Sequence, residues 1–168
     1  MRWLWIDRFT NFVSGREASA IKNVALDEEA LDDYCLGFPY LANPLIIEGL
    51  AQLGGILVSE HLQFKARVVL AKVSRAEFFS PARPGDQLQY HASLDSVQND
   101  GAMVSCTSHI GDQLQADVQL MFAFLDANRF GDRPLFEPDQ MHTMLRLMGF
   151  YEVATNDAGQ PITTGLVE

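Results

Sequence analysis

A chain of 168 residues, 48% hydrophobic and 20% charged, is long enough for one domain with a full core and at most an appendage. Its net charge of −10 disfavours nucleic acid as a partner, and its two distant cysteines, Cys35 and Cys106, argue against a disulfide scaffold or a zinc site and fit a reducing compartment. The opening Met-Arg-Trp-Leu-Trp-Ile-Asp has no apolar run long enough for a signal peptide, and no stretch reads as a membrane span, so a cytoplasmic location is expected.

Residues 7–26 read as two strands joined at Ser14-Gly15. An acidic segment, Asp27 to Asp33, is expected to form a helical turn or loop. The glycine- and proline-bearing stretch from Tyr34 to Ala42 then delivers the chain to its central element. That element is a helix from Asn43 to Leu62, with Asn43 as a suitable cap and Pro44 suited to the first turn. From Leu45 to Val58 it is apolar on every face except for Glu48 and Gln52, so it belongs inside the protein with other elements wrapped around it. Glu48 and Gln52 are four residues apart and therefore share one face, one turn from each other. A carboxylate on a buried helix is costly unless it is paired, hydrogen-bonded or working.

The pattern then changes to a period of two. Ala66 to Phe79 forms a strand that ends at Pro81-Ala-Arg-Pro-Gly. Leu88, Tyr90, Ala92 and Leu94 alternate with polar residues, as do Val104, Cys106, Ser108 and Ile110. The third such set is Leu114, Ala116, Val118, Leu120, Phe122 and Phe124. Asp100-Gly101 and Gly111-Asp112 supply two-residue hairpin signals between them. Consecutive antiparallel strands behind one long buried helix predict a bent sheet wrapped around that helix, an α+β arrangement over residues 1–127. Residues 128–168 read as a C-terminal extension. It holds a short helix from Asp139 to Gly149 with Met141, Met144, Leu145 and Met148 on its apolar face, then a loosely ordered tail from Thr155. This extension is expected to cover a sheet edge or a neighbouring subunit. The methionines, cysteines and aromatic stripes are expected in the core.

Charge is uneven along the chain. Lys65, Arg67, Lys72, Arg75 and Arg83 face the single acid Glu77 within residues 65–83, a local balance of +4. This is a solvated strand face or a docking patch for an acidic partner.

In order, these pieces resemble the hotdog-fold 3-hydroxyacyl-[acyl carrier protein] dehydratases, the FabZ/FabA class. Ile6-Asp-Arg-Phe is similar to the family's opening, and Ala20-Ile-Lys-Asn-Val to its second strand. Ile46-Ile-Glu-Gly-Leu-Ala-Gln-Leu-Gly-Gly resembles its helix, Arg83-Pro-Gly-Asp-Gln-Leu its turn, and Ala116-Asp-Val-Gln-Leu-Met-Phe-Ala its last strand. The resemblance implies a hotdog fold and a homodimer, or three such dimers together, with each site completed across the dimer interface. It also implies an acyl carrier protein or acyl-coenzyme A thioester as partner, no cofactor and no metal. Acyl carrier proteins are acidic, and the family docks them on basic residues beside its tunnel, a role for Lys65, Arg67, Lys72, Arg75 and Arg83.

In that family a Gly-His-Phe-Pro histidine and the helix glutamate share the chemistry. The glutamate carries over to Glu48 and the helix glutamine to Gln52. The histidine does not carry over: counting without gaps places Tyr34 there, and aligning on Gly37-Phe38-Pro39 places Gly37 there. The family's Met-Pro-Gly, whose glycine amide polarises the thioester carbonyl, is here Leu41-Ala42-Asn43, so the Asn43 amide at the helix start is its counterpart, while Pro44 has no donor. Substrate contacts are therefore expected from Gly37, Phe38, Pro39 and Asn43. His61 lies about 20 Å from Glu48 along the helix axis, His91 and His109 are out of phase with their strands' apolar faces, and His142 is on the extension.

Dehydration needs a base for the proton beside the carbonyl, an acid for the departing hydroxyl and donors for the enolate-like oxygen. The expected function is a FabZ-like dehydratase with a modified site, Glu48 central and Tyr34 a supporting donor. Two alternatives keep the fold. One is a non-catalytic binder of acyl groups or acyl carrier protein. The other is a hotdog thioesterase whose helix carboxylate activates water or attacks the thioester.

Overall fold

A computed structural model describes residues 4–28, 39–125 and 138–163. Strands β1 (Arg8–Val13) and β2 (Glu17–Asn23) form a hairpin whose turn places Gly15 at φ +66°, a left-handed conformation that glycine adopts without penalty. Helix α1 follows (Asn43–His61), then β3 (Arg67–Phe78), β4 (Gln87–Val97), β5 (Gly101–Ile110) and β6 (Gln113–Leu125). Helices α2 (Pro138–Leu147) and α3 (Phe150–Val153) and the two-residue strand β7 (Ala154–Thr155) close the described chain. The strands form one sheet in the order β3-β6-β5-β4-β2-β1-β7, antiparallel throughout except for the parallel β1–β7 pair. It packs around α1, the α+β hotdog architecture that the resemblance implies. Among the described residues no helix is long and apolar enough to cross a membrane.

The helix presses its glycine-rich side onto the sheet. A Cβ on Gly49 would stand 2.6 Å from the Tyr90 ring and 2.8 Å from the Trp5 carbonyl oxygen, and one on Gly54 would stand 3.2 Å from Val104. Ile46, Leu50, Leu53 and Leu57 fill the same interface and are fully buried. The cap differs from expectation. Ala42, extended at φ −61° and ψ 135°, is the capping residue, Asn43 is already helical, and no side chain caps the first turn. The cause lies one residue earlier: Leu41 bridges to Ala82, its N–H donating to the Ala82 carbonyl at 2.8 Å, which sets the extended entry. Past His61 the chain turns out of the helix through Gln63 and Phe64, both at φ 55°.

Two details of the strands also differ. Gly101 belongs to β5 rather than to the turn, and its lack of a side chain serves a close approach, since a Cβ there would lie 2.5 Å from the Phe122 carbonyl oxygen. In β6 the register shifts opposite Ser108 and His109, so Gln115 turns inward and is fully buried while Leu114 stays 39% exposed.

The part of the C-terminal tail that is described, to residue 163, is more ordered than expected, and residues 164–168 lie outside the described residues. β7 pairs with β1, Asn156 closes a turn with Gln160, and Thr155 bridges to Pro161. Phe150 sits between Phe9 and Phe12 at ring-centroid distances of 5.4 and 4.6 Å, and Leu145 and Met148 join the common core. Cys106 is buried, as expected; Cys35 lies outside the described residues. The methionines depart from the all-core reading. Met148 is buried, Met141 and Met144 are half-buried at the margin of the core, and Met121 is exposed because it alternates onto the outer face of β6.

Candidate functional site

The other flank of α1 is not sealed by the sheet. Glu48, Gln52, Gly55 and Ser59 recur at helical spacing along it, half-buried. They open onto a cleft of about 360 Å³ whose far wall is apolar, with Val68, Leu70 and Phe122 from the sheet and Met141, Met144 and Met148 from the extension.

Glu48 and Gln52 are brought together as the spacing requires: the Gln52 Nε2 donates to Glu48 Oε1 at 2.9 Å. What orients the amide is a third residue. The main-chain N–H of Trp5 donates to Gln52 Oε1 at 2.9 Å. A backbone N–H can only donate, so the atom facing it is the oxygen, and the NH₂ is left to face Glu48. Trp5 in turn is held on several sides. Its carbonyl abuts Gly49, and the Lys22 ammonium lies 5.7 Å from its ring centroid. Lys22 is itself nearly buried, bonded to Glu28 and to the Asn23 carbonyl, with Asp7 3.7 Å away. The arrangement presents a carboxylate of fixed orientation at the end of an apolar trough. It can accept a proton or a hydrogen bond from a substrate in that trough.

Asn43, at the start of α1, lines a second recess of about 310 Å³ with Tyr40, Ala42, Pro44 and Leu45. The Ala42 carbonyl takes the N–H groups of Leu45 and Ile46 at 2.9 and 3.4 Å, and Pro44 has none. Among the described residues the Asn43 N–H meets no acceptor, and it stands at the positive end of the helix dipole. Glu48 follows it by five positions, about 7.5 Å along the axis. Pro39 lies in the chain leading to this recess, whereas Tyr34, Gly37 and Phe38 lie outside the described residues.

The five basic residues are not gathered in one place. Lys65 is in the loop after α1, Arg67, Lys72 and Arg75 are strung along β3, and Arg83 follows Ala82, beside the entry to α1. From Arg67 to Arg75 the strand alone spans about 26 Å. Arg75 is also engaged within the chain, donating to Asp117 at 2.7 Å and to Glu77 at 3.5 Å. None of the four histidines lines the Glu48 cleft. His91 bridges Ser19 and Ser93 on the outer face, and His142 bonds the Tyr151 hydroxyl at 2.6 Å. No cluster of three or more metal-ligating side chains occurs among the described residues.

Sequence reasoning missed Trp5, which acts through its main chain and so leaves no side-chain signal. It also missed the partner of the methionine face. The spacing of 141, 144 and 148 marked that face as apolar but carried no information on what it would meet.

The FabA-like domain model matches residues 1–121 of the chain. The 3-hydroxyacyl-[acyl-carrier-protein] dehydratase FabZ of Symbiobacterium thermophilum is 32% identical over 126 residues, covering 74% of this chain and 89% of the relative. Among solved structures, the dehydratase heterocomplex ApeI:P from Xenorhabdus doucetiae matches with a TM-score of 0.63 at 14% identity, over 76% of this chain and 87% of that one. An acyl-CoA hydrolase variant of Staphylococcus aureus in complex with coenzyme A matches at 0.56 and 21% identity, over 67% and 66%. At those identities the two structures speak for the fold, and the sequence match speaks for descent: the chain belongs to the FabA-like family.

Proposed function

We propose that this protein is a 3-hydroxyacyl thioester dehydratase of lipid synthesis in which Glu48 is the acid–base centre. The observation that carries this reading is the Glu48 carboxylate, oriented by Gln52 and opening onto an apolar cleft. A thioester whose carbonyl accepts from the Asn43 N–H would place its acyl carbons alongside Glu48. Glu48 takes the proton from the carbon next to the carbonyl, and the electron pair of that bond becomes the enolate. The enolate collapses to the double bond as the C3–O bond breaks, and the departing hydroxide takes the proton back from Glu48 to leave as water. The reading also assigns Tyr34 the role of supporting donor to that hydroxyl, and Gly37, Phe38 and Pro39 the role of substrate contacts.

The site works in a homodimer. β3 is an edge strand of twelve residues, with Leu70 and Val73 39% and 38% exposed on it. A long edge with exposed apolar side chains favours pairing with a second copy. Antiparallel pairing of two β3 strands would bring the start of one beside the end of the other and concentrate their cations. Lys65, Arg67, Lys72 and Arg83 would then meet an acidic acyl carrier protein, with binding that weakens as salt is added.

The test follows a 3-hydroxyacyl thioester and its enoyl counterpart, on coenzyme A and on a carrier protein, by enoyl absorbance and free thiol together. Interconversion without thiol release is expected in the native protein. In Glu48→Gln it should fall by about 10²–10⁴-fold with the melting temperature little changed. Thiol release would assign a thioesterase instead. Binding without either change would assign a non-catalytic acyl binder.

A further inference from the structure

We infer that the C-terminal extension sets the acyl chain length this protein accepts, through Met141, Met144 and Met148. The inference rests on the acyl-thioester reading above and names what decides its selectivity.

The family match ends at residue 121, so the wall that α2 builds opposite Glu48 is an addition to the family domain. Its backbone is firmly placed. Leu145 and Phe150 are buried, the Met148 carbonyl accepts from the Phe9 N–H at 2.9 Å, and the His142–Tyr151 bond ties α2 to α3. Its side chains toward the cleft are methionines at i, i+3 and i+7, unbranched and able to repack around different apolar shapes. A helix serving only as a cover would be packed flush, since protein interiors rarely leave voids much larger than a water molecule. Here about 360 Å³ stays open between the methionines and α1, within the range of small-molecule sites. The occupant that fits is an alkyl chain, because the trough is continuous with Glu48 and Gln52 and, among the described residues, its polar lining is confined to those two and Ser59.

The test titrates straight-chain alkyl thioethers of pantetheine, the moiety common to both carriers, by calorimetry. These probes can be neither dehydrated nor hydrolysed, so binding is read apart from turnover. Each added methylene should tighten binding about three- to fourfold until the cleft is full, then no further. Met144→Trp should bring that plateau to a shorter chain and Met144→Ala should move it to a longer one. Met141→Trp, one turn earlier, reads the same effect if the first tryptophan variant fails to fold. An unchanged plateau in well-folded variants overturns the inference and leaves the acyl-thioester reading standing. Absence of any chain-length dependence in the native protein overturns the inference, and absence of binding by every probe overturns both. If the cleft instead receives part of a second copy, Met144→Trp will shift the dimer toward monomer by light scattering without moving the plateau, which also overturns it.

Discussion

Helix α1 has two sides that obey different rules. The side against the sheet is closed by contact: glycines where the backbone of one element meets rings and carbonyls of another, large aliphatic residues elsewhere, and no polar side chain. The flank carrying Glu48, Gln52 and Ser59 is only half-covered, and its neighbours are a hydrogen-bonded main chain on one side and adaptable methionines on the other. Rigidity on one side is what allows a gap on the other. With Gly49 seated between Tyr90 and the Trp5 carbonyl, the helix cannot roll to fill the trough.

Adding one methyl group to the closed side should show this most strongly. Gly49→Ala puts a Cβ into the Tyr90 ring and the Trp5 carbonyl, and overpacking of this kind costs about 1–3 kcal/mol. For a chain of this size that lowers the melting temperature by about 2–12 °C. Because the carbonyl displaced belongs to the residue that holds Gln52, turnover should fall together with stability. A variant that melts early with native kcat would separate the two sides that the geometry joins.

Gln52→Leu probes the open flank alone. It removes the donor to Glu48 and leaves the Trp5 N–H without its acceptor. We expect kcat to drop about tenfold, equivalent to about 1.4 kcal/mol of barrier, with KM nearly unchanged. A change in KM alone would mean that Gln52 contacts substrate rather than positioning the carboxylate.

The smallest effect belongs to the closed side again. Burial pushes the Cys106 thiol from its ordinary 9.0 up to about 12, with Asp95 and Asp117 adding to the rise. The folded state therefore keeps a proton that the unfolded chain has lost. The contribution of this group to stability is full below pH 9 and is lost as pH rises toward 12, with a slope approaching about 1.4 kcal/mol per pH unit. Tyr90, raised in the same way by burial, joins in above its ordinary 10.0. Between pH 9 and 10, Cys106→Ala should flatten the decline seen in urea melts, by about 1 kcal/mol or less. An unaltered slope would show that water reaches Cys106.

Much of the closed side was legible in the sequence, because burial against a single partner imposes a period. The period of two in β4 and β5, and the all-round apolar helix, both follow from that. The exceptions arise where backbone geometry intervenes. Gln115 is inside because the ladder slips by one residue, and Ala42 caps α1 because the preceding residue is bridged to Ala82. The Glu48–Gln52 pairing was legible from its four-residue spacing. The remainder of the site was not, since a main-chain donor leaves no residue signature and a methionine face does not say what it meets.

The two ends of the sheet are unlike, and that limits how copies of this chain can add to one another. At the β1 edge the chain's own β7 occupies the last two positions, and β7 is in turn folded over by Pro161 and by Ile162, whose N–H donates to the Ala154 carbonyl at 2.9 Å. At the β3 edge no strand follows among the described residues. A sheet with two open margins can be extended without end, whereas one with a single open margin has a valence of one, so that pairing like with like finishes the assembly instead of propagating it. In the homodimer proposed above, β7 over the end of β1 would leave like-with-like pairing at β3 to finish the assembly rather than propagate it.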